Sequence, residues 1–230
     1  MDRETSWQVI AEQRLGLADL LDGLPDNDWD VASLCAGWRV RDVAAHVALA
    51  PQVPSVWSMA AAGVRARGSF HRLNHDLAVR HSNGRTGSQL VAELRRYADS
   101  RRLPAPTNYR NILFDVLVHG QDIAVPLGLS LTMPVDAARA AVDRVWTMGW
   151  PFWAKRRLRA VRLTATDSSW AVGSGLDVRG STCALLLLLT GRTAALPQLT
   201  GDGVALLTDR LARPSPRRDQ WLAAGDTRHL

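Results

Sequence analysis

Cysteine is scarce in this chain of 230 residues: Cys35 and Cys183 are the only two. Two lone thiols form neither a disulfide framework nor a Cys-rich zinc motif. Long apolar runs are missing as well. The best candidate, Ala184 to Leu189, is far too short to span a bilayer. The opening MDRETSW carries acids and no apolar stretch, so it does not read as a signal peptide, and a cytoplasmic protein is expected. Lysine is almost absent: Lys155 stands alone, and arginine supplies every other basic residue behind the net charge of +6. Those arginines are scattered among acids, which fits a genomic base-composition bias better than a phosphate-tracking surface. The charge is read as a general field that attracts small anionic substrates. Lys155 to Arg159 and Arg210 to Arg218 are the best nucleic-acid candidates, and a nucleic-acid partner is not expected. Repeats and low-complexity segments are lacking. Gly173 and Gly175 form a GxG without the third glycine or the following helix of a nucleotide fingerprint, and fit a strand turn.

What is present is a chain of ordinary apolar content, 47%, long enough for one large domain or two small ones. Its organising stretch is Asn111 to Gly128, NILFDVLVHGQDIAVPLG. Ile112, Val116, Leu117 and Ile123 have helical spacing, and the helix should end near Val125, ahead of Pro126. Asp115, His119 and Asp122 fall at i, i+4 and i+7, on one face. Charge among apolar neighbours is costly unless paired or bound to a metal, and an acid-x-x-x-His pair offers two metal ligands from adjacent turns. A second stretch, Cys35 to Ala50, carries Val40, Val43, Val47 and Ala50 on a helical stripe, with His46 bordering it. His46, Asp115 and His119 would give three ligands from two helices. Three protein ligands with one open position is the pattern of a catalytic zinc, whereas structural zinc is usually closed by four.

In chain order, Thr5-Ser6-Trp7-Gln8 reads as a capping box opening a first helix with Ile10, Leu17, Leu20, Leu21 and Leu24 on its stripe; Gly23 and Pro25 close it. Asp26 to Ala36 is a loop anchored by Trp29. Trp38 and Val40 start the second helix, which Pro51 and Pro54 kink or end, with helix resuming in some form over Val56 to Val64. Arg65 to Asn83 is polar and holds His71, His75 and His81. His71 and His75 could bind metal as an i, i+4 pair, but an exposed polar face is expected. Thr86 to Gln89 is a second capping box, Arg101 to Pro106 a loop, and the 111–128 helix follows. Four helical segments with modest loops suit an antiparallel bundle, whose core is a common place for a metal. After Gly128 come a helix over Val135 to Trp150, strands at Ala160 to Thr166, Trp170 to Val172 and Leu176 to Arg179, a buried helix Ser181 to Leu189, and a last helix Val204 to Leu211. The expected fold class is α+β, with the helical bundle at 1–130 and a smaller α+β domain at 131–230. Cys35 is read as a half-buried structural thiol, and Trp29 and Trp38 as core anchors.

CAGWRVRDVAAHVA on the second helix and DVLVHGQDIAVPLG on the fourth resemble the mycothiol-dependent maleylpyruvate isomerase family, whose N-terminal part is a DinB-like metal-binding four-helix bundle. RLTATDSSWAVGSGLDVRG, ALLLLLTGR and LTGDGV extend the resemblance over nearly the whole chain. It implies a divalent metal, usually zinc, held by His46, Asp115 and His119. The named isomerase has glutamate at the acid position; aspartate here is one methylene shorter and has a different reach. The family enzyme also uses an arginine of its C-terminal domain; Arg179, Arg192 and Arg210 are the candidates, with Arg192 the choice beside Asp122 as catalytic residues. Asp122 would orient a ligand histidine or act as a base. Mycothiol is implied as the thiol cosubstrate. Its metal-activated thiolate would add to the cis double bond of an unsaturated keto acid and leave after rotation, or attack an electrophile and stay attached. The alternatives are a non-catalytic metal- or ligand-binding protein that keeps the fold and, on charge alone, a nucleic-acid-associated protein.

Overall fold

The computed structural model describes residues 1–52, 70–103 and 107–212. The continuation expected over Val56 to Val64, the tail from Arg213 to Arg218 and the His71 side chain lie outside them.

Helix α1 (Arg3–Leu21) starts earlier than the Thr5 capping box suggests. Asp2 is the cap: its carboxylate accepts from the Thr5 backbone N–H at 2.8 Å and from the Thr5 hydroxyl at 2.9 Å. An aspartate three residues upstream satisfies an open N–H of the first turn, so Thr5 falls inside the helix. Helix α2 (Val40–Leu49) opens at Arg39. Helices α3 (Phe70–Asn83), α4 (Gly87–Arg96) and α5 (Tyr109–Ala124) complete this half among the described residues. The expected capping box at Thr86 and Gln89 is present. Asn108 caps α5 by accepting from the N–H groups of Arg110 and Asn111.

Helices α1, α2, α4 and α5 pack against one another as the bundle, and α3 lies along α2. The polar sequence of α3 hides a helix because what it buries is small: Ala78 and Ser82 are both fully buried. Trp29 is the anchor the sequence suggests, 5% exposed. It lies directly on Gly87, where a Cβ would come within 2.5 Å of the indole.

The second half begins with α6 (Val135–Met148), which packs on α5 and on α8 (Thr182–Leu189) and so joins the halves through one apolar core. A short α7 (Ala154–Arg157) leads into β1 (Val161–Ala165), β2 (Ala171–Gly173) and β3 (Leu176–Gly180). The strand order is β2-β1-β3: β1 runs antiparallel to β2, with Leu163 opposite Val172, and parallel to β3, with Leu163 opposite Val178. The alternation in β1 is as expected, with Val161, Leu163 and Ala165 buried. Helix α9 (Gly203–Ala212) closes the described chain. Among the described residues the result is a mostly helical α+β protein with one small sheet.

A buried carboxylate fixes the start of α2. Asp42, 2% exposed, accepts from the Arg39 backbone N–H, Nε and Nη2, each at 3.0 Å, and from the Ser82 hydroxyl at 2.5 Å. Burial alone would raise its pKa, but the bonds from Arg39 and Ser82 outweigh burial and hold it below the usual carboxylate range. A folded pKa below the unfolded value contributes stability at pH above about 4, lost as pH falls through the folded value. Asp42→Ala is therefore expected to lower the unfolding free energy at pH 7 by about 2–3 kcal/mol, leaving several donors without an acceptor. Urea denaturation between pH 7 and pH 3 should also show a shallower acid decline in the variant than in the wild type. An unchanged midpoint would show that Asp42 contributes nothing.

Candidate metal centre

Asp115, His119 and Asp122 lie on one face of α5, as their spacing requires, and α2 brings His46 to that face. The geometry closes around Asp115. Its Oδ2 is 3.5 Å from His46 Nε2, and its Oδ1 is 3.4 Å from His119 Nε2. The shorter acid therefore reaches both histidines. The three donor atoms all lie within 4.8 Å of one another. A tetrahedral ion with bonds of roughly 2.0–2.1 Å would set its donors about 3.3 Å apart, so the two measured separations fit the cradle of such a cation. The side chains of His46, Asp115 and His119 are 19%, 29% and 12% exposed, so the cluster opens to solvent on the carboxylate side.

Behind His119 the structure is closed to solvent. Its Nδ1 donates to Asp122 Oδ2 at 2.9 Å, and the Asp122 side chain is fully buried. That bond places a proton on Nδ1 and aims Nε2 at Asp115, the arrangement in which a ligand histidine is oriented by an acid beyond it. Asp122 is neutralised in turn by Arg192, whose Nε donates to Oδ1 at 2.9 Å and Nη2 to Oδ2 at 2.5 Å. Both Asp122 oxygens are thus occupied, which favours an orienting role over that of a base. Arg192 also donates through Nη1 to the Thr190 carbonyl at 2.9 Å, so its planar fork is held at the end of α8.

Electrostatics follow the contacts. Burial would favour the neutral form of His119, but the Asp115 carboxylate and the bonds to Asp115 and Asp122 outweigh it and push its pKa up to about 10. Burial would likewise raise Asp115, yet the charges of His119 and His46 hold its carboxyl far below the ordinary range. The cluster, without a bound ion, holds a proton where a metal cation would compensate the same carboxylate.

Cys35 stands nearer this centre than a structural thiol in a loop would suggest. Its Sγ is 3.9 Å from Arg192 Nη2 and, with His119 and Asp122, forms a second group of donors within 4.8 Å. The Arg192 guanidinium already lies on the Asp122 carboxylate, and burial pushes the Cys35 thiol pKa up. The partly open cluster of His46, Asp115 and His119 is therefore the better candidate cation site.

Of the three candidate arginines, only Arg192 joins the centre. Arg179 pairs with Asp177 on the exposed sheet, and Arg210 donates to the Arg159 carbonyl. His75 is half-exposed beside Asp76. His81 is buried, with Nε2 2.6 Å from Glu93, which also binds Arg85; the polar sequence around it gave no sign of that pairing. Trp38, expected as a core anchor, is half-buried: it packs against the edge of the apolar core and also lies against the rings of His46 and His119.

Residues 10–105 match the family model described as mycothiol maleylpyruvate isomerase N-terminal domain. No curated protein matches the sequence. Among solved structures, the chain is similar to a crystal structure of the mycothiol-dependent maleylpyruvate isomerase, with TM-score 0.57 and 14% identity over 88% of this chain and 93% of that one. It is also similar to a histidine-to-alanine mutant of that isomerase, with TM-score 0.51 and 13% identity over the same shares of each chain. Residues 10–105 are thus similar to the N-terminal domain of the mycothiol maleylpyruvate isomerase family, and over 88% of its length the chain takes the fold of that solved isomerase.

Proposed function

We propose that the protein is a metal-dependent enzyme that uses mycothiol, either isomerising a small anionic or electrophilic substrate or transferring the thiol sulfur to it. The observation that carries this reading is the convergence of His46 and His119 on the partly open Asp115 carboxylate at 3.5 and 3.4 Å. The family match and the shared fold support mycothiol as the thiol. A divalent cation, zinc by preference, held by these three side chains would supply a Lewis acid that keeps a thiol deprotonated at neutral pH.

The chain's own residues have distinct parts. His46 and His119 would each offer a bound cation the Nε2 lone pair, and Asp115 supplies the charge that favours a cation. Asp122 fixes the tautomer of His119 through Nδ1. Arg192 balances Asp122, so the dry side of the centre carries no uncompensated charge. The surplus of arginine gives anionic substrates a favourable approach.

Untagged protein loaded with zinc and dialysed is expected to retain about one ion per chain, as three protein ligands with an open position would hold. His46→Ala and His119→Ala should each weaken retention by more than about 100-fold, beyond the loss typical of an outer-shell change. Turnover of an electrophile panel should then require mycothiol. Zinc retained equally by both variants would sink the ligand set. Zinc bound with no thiol-dependent turnover would leave a binding protein on the same fold, and salt-sensitive DNA binding without zinc would replace both readings.

A further inference from the structure

We propose that the turn Ser33–Trp38 is the positioning element of the metal centre, and that the Trp38 indole sets the ring orientation of both histidines; this rests on the ligand set proposed above. An imidazole on a helix is poorly fixed by its backbone, because its χ2 torsion is broad. The bond from His119 to Asp122 fixes the Nδ1 end but leaves the ring free to tilt about that bond. Trp38 closes that freedom. Its ring lies nearly parallel to His119, with centroids 6.3 Å apart and an interplanar angle of 11°. It meets His46 edge-on at 5.4 Å and 77°, and the two imidazoles meet each other at 4.9 Å. It also meets His75 of α3 edge-on at 6.0 Å. One indole thus borders both proposed nitrogen ligands, which come from different helices.

The backbone beneath the ring is fixed. The Trp38 N–H donates to the Cys35 carbonyl at 2.9 Å, and the Trp38 carbonyl accepts from both the N–H and the hydroxyl of Ser33, each at 2.9 Å. The Leu34 N–H donates to the Asp122 backbone carbonyl at 3.1 Å, tying the turn to the helix that carries His119. The turn therefore registers α2 against α5 at the level of the three donors. A core anchor would not need the Leu34 tie to α5, and a group that only stacked on substrate would not border both ligand rings.

Cobalt(II) titration of metal-free protein, followed by its visible absorption, tests this without any substrate. The wild type is expected to bind one ion with the intense spectrum of a tetrahedral site. Trp38→Ala should raise the dissociation constant 10- to 100-fold, the range typical of residues that orient metal ligands, and change the band shape. Trp38→Phe, which keeps an aromatic face, should recover most of both. Trp38→Ala with wild-type affinity and spectrum would overturn the inference. So would a loss that Trp38→Phe fails to recover while the metal-free variants melt like the wild type. If Trp38→Ala does not fold, Ser33→Ala carries the test: weaker cobalt binding supports the positioning role, and unchanged binding overturns it. A wild type that takes up no cobalt fails at the ligand set itself, a result distinct from failure at Trp38.

Discussion

Replacing Asp122 by alanine is expected to lower the unfolding free energy by about 3–5 kcal/mol, the usual consequence of removing one partner of a buried ion pair. Asp122 is fully buried and Arg192 is 11% exposed, so solvent cannot take over the lost contact. The variant would leave the guanidinium in the protein interior with the Thr190 carbonyl as its remaining close acceptor. Adding Arg192→Met should recover part of the loss, because the stranded charge is then gone, and the double variant should fall short of the sum of the singles. Urea denaturation of the metal-free proteins measures this. A loss below about 1 kcal/mol for Asp122→Ala, the level of an exposed pair, would show that the pair is not buried as described. The same substitution should also weaken metal binding about 10- to 100-fold, since His119 loses the group that fixes its tautomer.

Arg14→Met should be nearly as damaging, at about 3 kcal/mol. Arg14 is 1% exposed on the core side of α1, and its Nη1 donates to the carbonyls of Tyr97, Ala98 and Ser100 at 3.3, 3.0 and 2.9 Å. These carbonyls lie at the C-cap of α4 and just beyond it, where the helical ladder has ended; that of Tyr97 also accepts from the Ser100 N–H at 3.0 Å. A cation there also complements the negative end of the helix. Burial lowers the Arg14 pKa to about 10, so the group is still charged at neutral pH. Methionine keeps the apolar bulk and removes every donor, so the measured loss isolates the capping contribution. Thermal melts of Arg14→Met and Arg14→Lys should rank the wild type first, lysine second and methionine last. A methionine variant as stable as the wild type would mean that water satisfies the three carbonyls.

Much of the site was legible because helical spacing is a local property. Asp115, His119 and Asp122 had to share a face once the 111–128 stretch was read as a helix, and His46 bordered the apolar stripe that turns α2 inward. The strands at 161–165 and 176–180 were legible through alternation and through Gly173 and Gly175. What escaped depends on contacts distant in the chain. The pairing of Asp122 with Arg192 spans 70 residues, and that of Arg14 with the end of α4 spans more than 80. Arg14 did leave a trace, since it falls on the same stripe as Ile10, Leu17 and Leu21, where a charge is out of place. The helix α3 escaped because it buries alanine and serine rather than large apolar side chains. The contact of Trp38 with both histidines escaped because a tryptophan beside an apolar stripe carries no mark of which way its ring will turn.

Arg192 gives the two halves of the chain a dependence that their packing alone does not convey. All three proposed ligands lie before residue 120, yet the counter-charge that makes Asp122 tolerable comes from the turn after α8. A fragment ending near residue 130 would keep every donor and still present His119 with an unbalanced interior carboxylate. Shortening or recombining this protein at the bundle boundary would therefore detune the centre from behind, without touching a single ligand.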